Sequence, residues 1–174
     1  MNIPEITRKL LENHRLFTDY IQSLSTDVFT LSRNHKWTPG QQLEHIRRSV
    51  QPLAQGFRLP KWLIKMIFGK SNRPGRTYDE LVKKYSLKLE EGGRASGRFL
   101  PKAVAISEKN KIIDSLNKDI LIITKNLSAF SEKELDEIVL PHPLLGKLTI
   151  REMMFFTIYH VEHHLNHTKI NINF

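Results

Sequence analysis

The amino-acid sequence predicts an all-α protein: a four-helix bundle with a long irregular crossover between its second and third helices. Three observations predict it. Apolar residues recur at helical spacing in four long segments, two of those segments open on capping boxes, and almost nothing alternates with the two-residue period of a half-buried strand. A chain of 174 residues fits one domain, taken as 1–174, large enough to bury a core without a disulfide or a structural metal.

The first helix is expected from about Pro4 to Leu24, where Ile6, Leu10, Leu11, His14, Phe17 and Ile21 share a face. The second starts at Trp37-Thr38-Pro39-Gly40-Gln41 and continues to about Phe57. There Thr38 caps, Pro39 suits the first helical position because its missing N–H would be unpaired anyway, and Gln41 completes the box. The third begins near Ser107 and carries the stripe Ile112, Ile113, Leu116, Ile120, Ile123 and Leu127. The fourth opens at Thr149-Ile150-Arg151-Glu152, a second capping box, and runs toward the C-terminus.

Between the second and third helices, Arg58 to Lys102 holds Pro60, Pro74, Pro101 and five glycines, so it reads as the crossover. Short helices are expected within it at Lys61 to Phe68 and Tyr78 to Glu90. From Arg58 to Arg76 it has six positive residues and no acid. A phosphate or membrane contact is one reading of that run, and a solvated crossover is the preferred one. Gly69-Lys70-Ser71 resembles the end of a phosphate-binding loop, but Ile64 stands where the upstream glycine belongs and Pro74 follows where a helix should run. The glycines of GGRASGRF follow no strand and read as a plain loop.

Composition narrows the function classes. Lys plus Arg number 27 against 18 Asp plus Glu, giving a net charge of +9 and a pI near 9.8, so nucleic acid, anionic lipid and anionic substrates all come into view. Nucleic acid is disfavoured, because no basic groove interleaved with aromatics accompanies the charge. The absence of cysteine excludes a disulfide framework, a thiolate metal site and a cysteine nucleophile, and fits the cytoplasm. MNIPEITRK lacks the apolar core of a signal peptide, and the runs MMFFTIY and WLIKMIF fall far short of the about 20 residues of a membrane span.

The chemistry concentrates near the C-terminus. TIYHVEHHLNH places four of the eight histidines, His160, His163, His164 and His167, within eight positions. At roughly 100° per residue from His160, His164 falls at about 40°, His167 at about −20° and His163 near −60°. Arg151, Glu162, Asn166 and Lys169 define the opposite, solvent-facing side. His160 and His164 therefore face the interior, at an i, i+4 spacing from which two imidazoles can converge on one ion. Hydrogen bonding of each to a carbonyl, a serine or a water is the competing reading, and geometry alone leaves both open. A metal needs a third ligand. His45 has the best placement, beside Gln42 and Ser49 at the edge of its helix's buried stripe, with Glu44, Arg48 and Gln51 turned to solvent. His35 and His142 sit in expected loops, and His14 fits a core histidine.

WTPGQQLEHI, together with HPLLGKLTIREMMFFTIYHVEHHLNH, resembles the DinB/YfiT superfamily, in particular a bacterial subgroup catalogued as a domain of unknown function. The resemblance covers essentially the whole chain. It implies a four-helix bundle with a three-histidine metal site near one end, carried over to His45, His160 and His164, and it is compatible with a homodimer. Leu145 replaces an aromatic common in the subgroup, and His167 stands where a glutamine is frequent, which leaves its role between pocket hydrogen-bonder and extra ligand.

Three neutral imidazoles leave a divalent ion with full charge and open positions, a catalytic kind of site. Zinc, nickel and iron all suit imidazole. Glu162 points outward and the order of a zinc protease motif is missing, so peptide hydrolysis is disfavoured. The resemblance implies two enzymatic options: transfer of a low-molecular-weight thiol cosubstrate onto an electrophilic small-molecule substrate, which is preferred, or metal-dependent hydrolysis of a small molecule. The competing class is a non-catalytic, stress-linked bundle that binds a small molecule or nucleic acid.

Overall fold

Side-chain caps decide where the helices start. Asn2 accepts the N–H of Glu5 while the Glu5 carboxylate accepts the N–H of Asn2, opening α1 (Ile3–Ser23). Ser25 caps the single turn α2 (Thr26–Phe29), and the Thr38–Gln41 box opens α3 (Pro39–Phe57). The crossover holds α4 (Lys61–Phe68) and α5 (Tyr78–Glu90), followed by 3-10 turns at Gly97–Phe99 and Ile106–Glu108. The second of these turns runs into α6 (Lys109–Leu127), and Ser131 with Glu134 caps α7 (Glu132–Glu137). Strands β1 (Val139–His142) and β2 (Gly146–Thr149) then lead into α8 (Ile150–Asn173). The structure, a computed structural model, describes residues 1–173 and is predominantly helical.

The four long helices pack on one another: α3 lies along α6, α1 along both α6 and α8, and α8 also meets α3. Their apolar stripes meet in one buried cluster that includes Leu10, Phe17, Ile21, Leu43, Ile46, Leu116, Ile123, Leu127, Met154 and Val161. Each such side chain contributes about 1.5–3 kcal/mol on leaving water. Gly40 lets α2 close onto α3, since a Cβ there would lie 2.9 Å from the Phe29 ring. Among the described residues no helix is long and apolar enough to cross a membrane.

The β-hairpin is the main departure from the expected all-helical chain. Its antiparallel register pairs Val139 with Thr149 and His142 with Gly146. Gly146, which pairs with His142 where the loop rejoins the hairpin, has φ +78°, a left-handed conformation that favours glycine. His142, expected in a loop, ends β1, and its Nδ1 accepts the N–H groups of Leu144 and Leu145 at 3.2 and 3.0 Å. Strands of four residues, one containing Pro141, are too short to show a period.

The hairpin delivers α8 directly. Thr149 and Glu152 exchange hydrogen bonds at 2.9 and 3.1 Å, and the fully buried Glu152 carboxylate also takes Arg73 at 2.7 Å and Arg76 at 3.2 Å. Burial alone would raise the Glu152 pKa; the Arg73 guanidinium and the N–H groups of Thr149 and Arg76 outweigh it and hold the carboxyl below its usual value. Much of the basic run is therefore internally neutralised, Lys61 pairing with Glu134 and Lys70 with Glu137 as well. A second correction concerns Glu44, which the helical projection turned to solvent. It is buried, because Arg47 and Arg48 fold onto its carboxylate at 2.7 and 2.6 Å.

Candidate metal centre

His45 stands two turns inside α3, and His160 and His164 occupy successive turns of α8. The antiparallel supports bring three imidazoles to one point. His160 Nε2 lies 3.2 Å from His45 Nε2 and 3.1 Å from His164 Nε2, and one ligand atom from each ring falls within 4.8 Å of the others. All three residues are buried.

The outward nitrogens explain why the Nε2 atoms turn inward. His45 Nδ1 donates to the Phe99 carbonyl at 2.8 Å, and His164 Nδ1 donates to the Gln42 side-chain oxygen. An oxygen acceptor requires the proton on Nδ1, so each Nε2 presents a lone pair to the centre. Arg48 holds the Phe99 carbonyl in place from both sides, donating to the carbonyls of Arg98 and Leu100 at 3.1 Å each. Burial pushes the pKa of His160 and His164 well below 6.5, and neighbouring imidazoles push further. Burial also lowers that of His45, against the partly compensating bond to Phe99. Neutral rings with converging lone pairs are the form that binds a metal. In a tetrahedral site with metal–nitrogen distances near 2.0–2.1 Å, nitrogen pairs sit about 3.3 Å apart, so the donor set and its spacing fit a divalent ion.

The sequence matches the profile of the DinB superfamily over residues 4–168. The chain belongs to the DinB superfamily. A comparison with curated proteins returns no match. The DinB match spans both halves of the three-histidine cluster, His45 on α3 and the pair on α8.

The remaining histidines of this DinB protein fall elsewhere. His163 is half-buried and stands 5.8 Å, ring to ring, from Tyr85, while the exposed His167 packs 4.3 Å from His163. His35 is exposed in a loop before α3. His14 is buried on α1, donating from Nδ1 to the Leu10 carbonyl at 2.8 Å, and burial pushes its pKa down to about 4. His142 rests edge-on against Phe156 at 4.3 Å; burial, with a smaller contribution from Lys84, holds it near 4. Because its Nδ1 accepts from the hairpin loop, His142 keeps only an Nε2–H to offer a ligand.

All of these side chains line a cavity of about 1260 Å³ bounded by α3, α8, the crossover and the hairpin. Its walls are largely apolar, with Trp37, Leu53, Phe68, Tyr85, Leu144 and Phe156 among them, and its charged lining is three cations, Lys36, Arg94 and Arg98, against one acid, Glu90. Trp37 lies nearly parallel to His164, at 6.2 Å and 13°. Sequence reasoning named Gln42 and His142 without the roles they take here, and missed the Phe99 carbonyl. Gln42 was legible in principle, three residues before His45 on the same face. His142 needed the hairpin to bring it to the cavity. The Phe99 carbonyl, a backbone atom on the crossover, has no signature in residue types.

Proposed function

We propose that this DinB protein is a metal-dependent enzyme, a single-domain four-helix bundle in which His45, His160 and His164 hold one zinc, nickel or iron ion. The convergence of three inward lone pairs, fixed from behind by Phe99 and Gln42, carries the reading. An ion held there supplies Lewis acidity, able to acidify a thiol or a water, or to polarise a substrate oxygen. The chain's own residues bind and orient. Apolar walls exclude water from the reacting groups, His142 Nε2–H is free to donate to a substrate oxygen, and Lys36, Arg94 and Arg98 suit a cosubstrate bearing carboxylates.

Within the enzyme class, thiol transfer to an electrophile stands ahead of hydrolysis. The cavity exceeds the roughly 300–1,000 Å³ usual for one small ligand, which favours two substrates bound together over one substrate and water. The test is elemental analysis of untagged protein after supplementation with zinc, nickel or iron. Wild type is expected to carry about one metal ion per three-histidine site, and a His160→Ala, His164→Ala variant to carry almost none. Equal, near-zero contents would overturn the metal reading. Consumption of cysteine or glutathione against an aryl halide, set beside hydrolysis of a nitrophenyl ester, separates transfer from hydrolysis.

A further inference from the structure

Helix α4 uses only one side to hold itself to the protein. Ile64 is buried and, with Phe68, faces the cavity. The other side is open: Trp62 is 65 % exposed, Met66 67 %, Ile67 53 % and, just before the helix, Leu59 39 %. At 100° per residue, Trp62, Leu63, Met66 and Ile67 fall within one arc of about 140°. Monomeric proteins seldom leave so concentrated an apolar face in water.

The face has a rigid mount. Leu59 N–H bonds the Gly56 carbonyl before the helix, and after it the N–H groups of Val139 and Ser71 donate to the carbonyls of Gly69 and Glu137 at 3.3 and 2.7 Å. It also has a basic border, Lys61 and Lys65 along one edge with Arg58 and Lys70 at its ends. Lys61 and Lys70 contact Glu134 and Glu137, while Arg58 and Lys65 make no ion pair among the described residues.

We propose that the exposed face of α4 docks onto an anionic phospholipid bilayer, the helix lying in the interface with its apolar arc among the acyl chains and its lysines at the headgroups. A tryptophan at the edge of an apolar arc, flanked by lysines whose stems can lie along it, is the side-chain set that such an interface accommodates. The charge border selects this occupant. A second copy of the chain would bring the same cations face to face across a two-fold axis. Protein interfaces are depleted in lysine, the residue that dominates this border. An anionic surface instead gains from the cations that carry no ion pair among the described residues, here Arg58 and Lys65. The proposal stands independently of the metal centre, although docking would bring the cavity wall formed by Ile64 and Phe68 close to the bilayer.

The test uses the full chain with vesicles of phosphatidylglycerol and phosphatidylcholine, and with phosphatidylcholine alone. Co-sedimentation is expected with the anionic vesicles only, weakening as salt rises. Trp62 emission should shift to the blue and be quenched by brominated acyl chains, a signal that Trp62→Phe removes. Trp62→Glu with Met66→Glu, and separately Lys65→Glu, should each weaken binding about tenfold or more with metal content unchanged. If the double variant is unstable, Lys65→Glu and the wild-type quenching decide. Absence of binding to anionic vesicles at low salt, equal binding to neutral ones, or binding unmoved by the substitutions would overturn the proposal. Self-association abolished by Trp62→Glu would also overturn it and assign the face to a second copy.

Discussion

Helix α8 carries the same chemical spacing twice, and the two copies have different fates. His160 and His164 sit four residues apart with ring centroids 4.6 Å apart; His163 and His167 sit four residues apart at 4.3 Å. Residue type, spacing and ring separation are nearly the same. What separates them lies on other elements. Only the first pair meets His45, and only the first pair has an outward nitrogen bonded to a side chain chosen for it, Gln42. The second pair packs against Tyr85, and among the described residues it belongs to no group of three ligand atoms within metal-binding reach. An i, i+4 histidine pair is thus only half of a site, and the facing helix supplies the other half.

The sharpest way to break the contrast is to remove one ring from each pair. His160→Ala should abolish metal retention, while His163→Ala should leave the content at the wild-type level, both measured by elemental analysis of untagged protein. Equal loss in the two variants would mean the pairs are not distinct. Next is the element that sets the rotational phase of both pairs. Glu152→Ala leaves Arg73 and Arg76 facing a buried gap and should cost about 3 kcal/mol in urea unfolding.

Gln42→Leu takes the acceptor from behind His164 and makes that pair resemble its neighbour; metal affinity, read by competition with a chromophoric chelator, should fall about 10- to 100-fold. The smallest effect tests an inward histidine with no partner ring. His14 is held near 4 in the folded chain against 6.5 unfolded, so its neutral form stabilises the fold above 6.5. That contribution is lost as pH falls from 6.5 toward 4, about 1 kcal/mol over the first pH unit. In metal-free protein, His14→Gln should flatten the acid limb of stability by that amount.

The long helices were legible because each buries one stripe, and a stripe at helical period is written in the sequence. The short helices at Lys61–Phe68 and Tyr78–Glu90 were legible for the same reason, even inside an irregular crossover. The hairpin was not: Pro141 and Gly146 read as loop residues, and its pairing depends on a turn built around His142. Glu44 was misplaced because a projection knows one helix only, while its burial comes from arginines folding back and from the crossover they tie down. At the candidate metal centre the inward pair was visible from its own helix. His45 was the best placed of several candidates on its own helix, with weaker evidence than the pair; the family resemblance implied it too, and the structure brings it to the pair because α3 meets α8.

One acceptor at the centre belongs to neither long helix. His45 is oriented by the carbonyl of Phe99, on a stretch of crossover that Arg48 fastens at Arg98 and Leu100. On the proposed metal reading, order in that stretch and grip on an ion are two ends of one thermodynamic linkage, each strengthening the other by the same free energy. A protease offered the Gly97–Phe99 turn should therefore act as a gauge of loading, cutting the metal-free chain there faster than the loaded one.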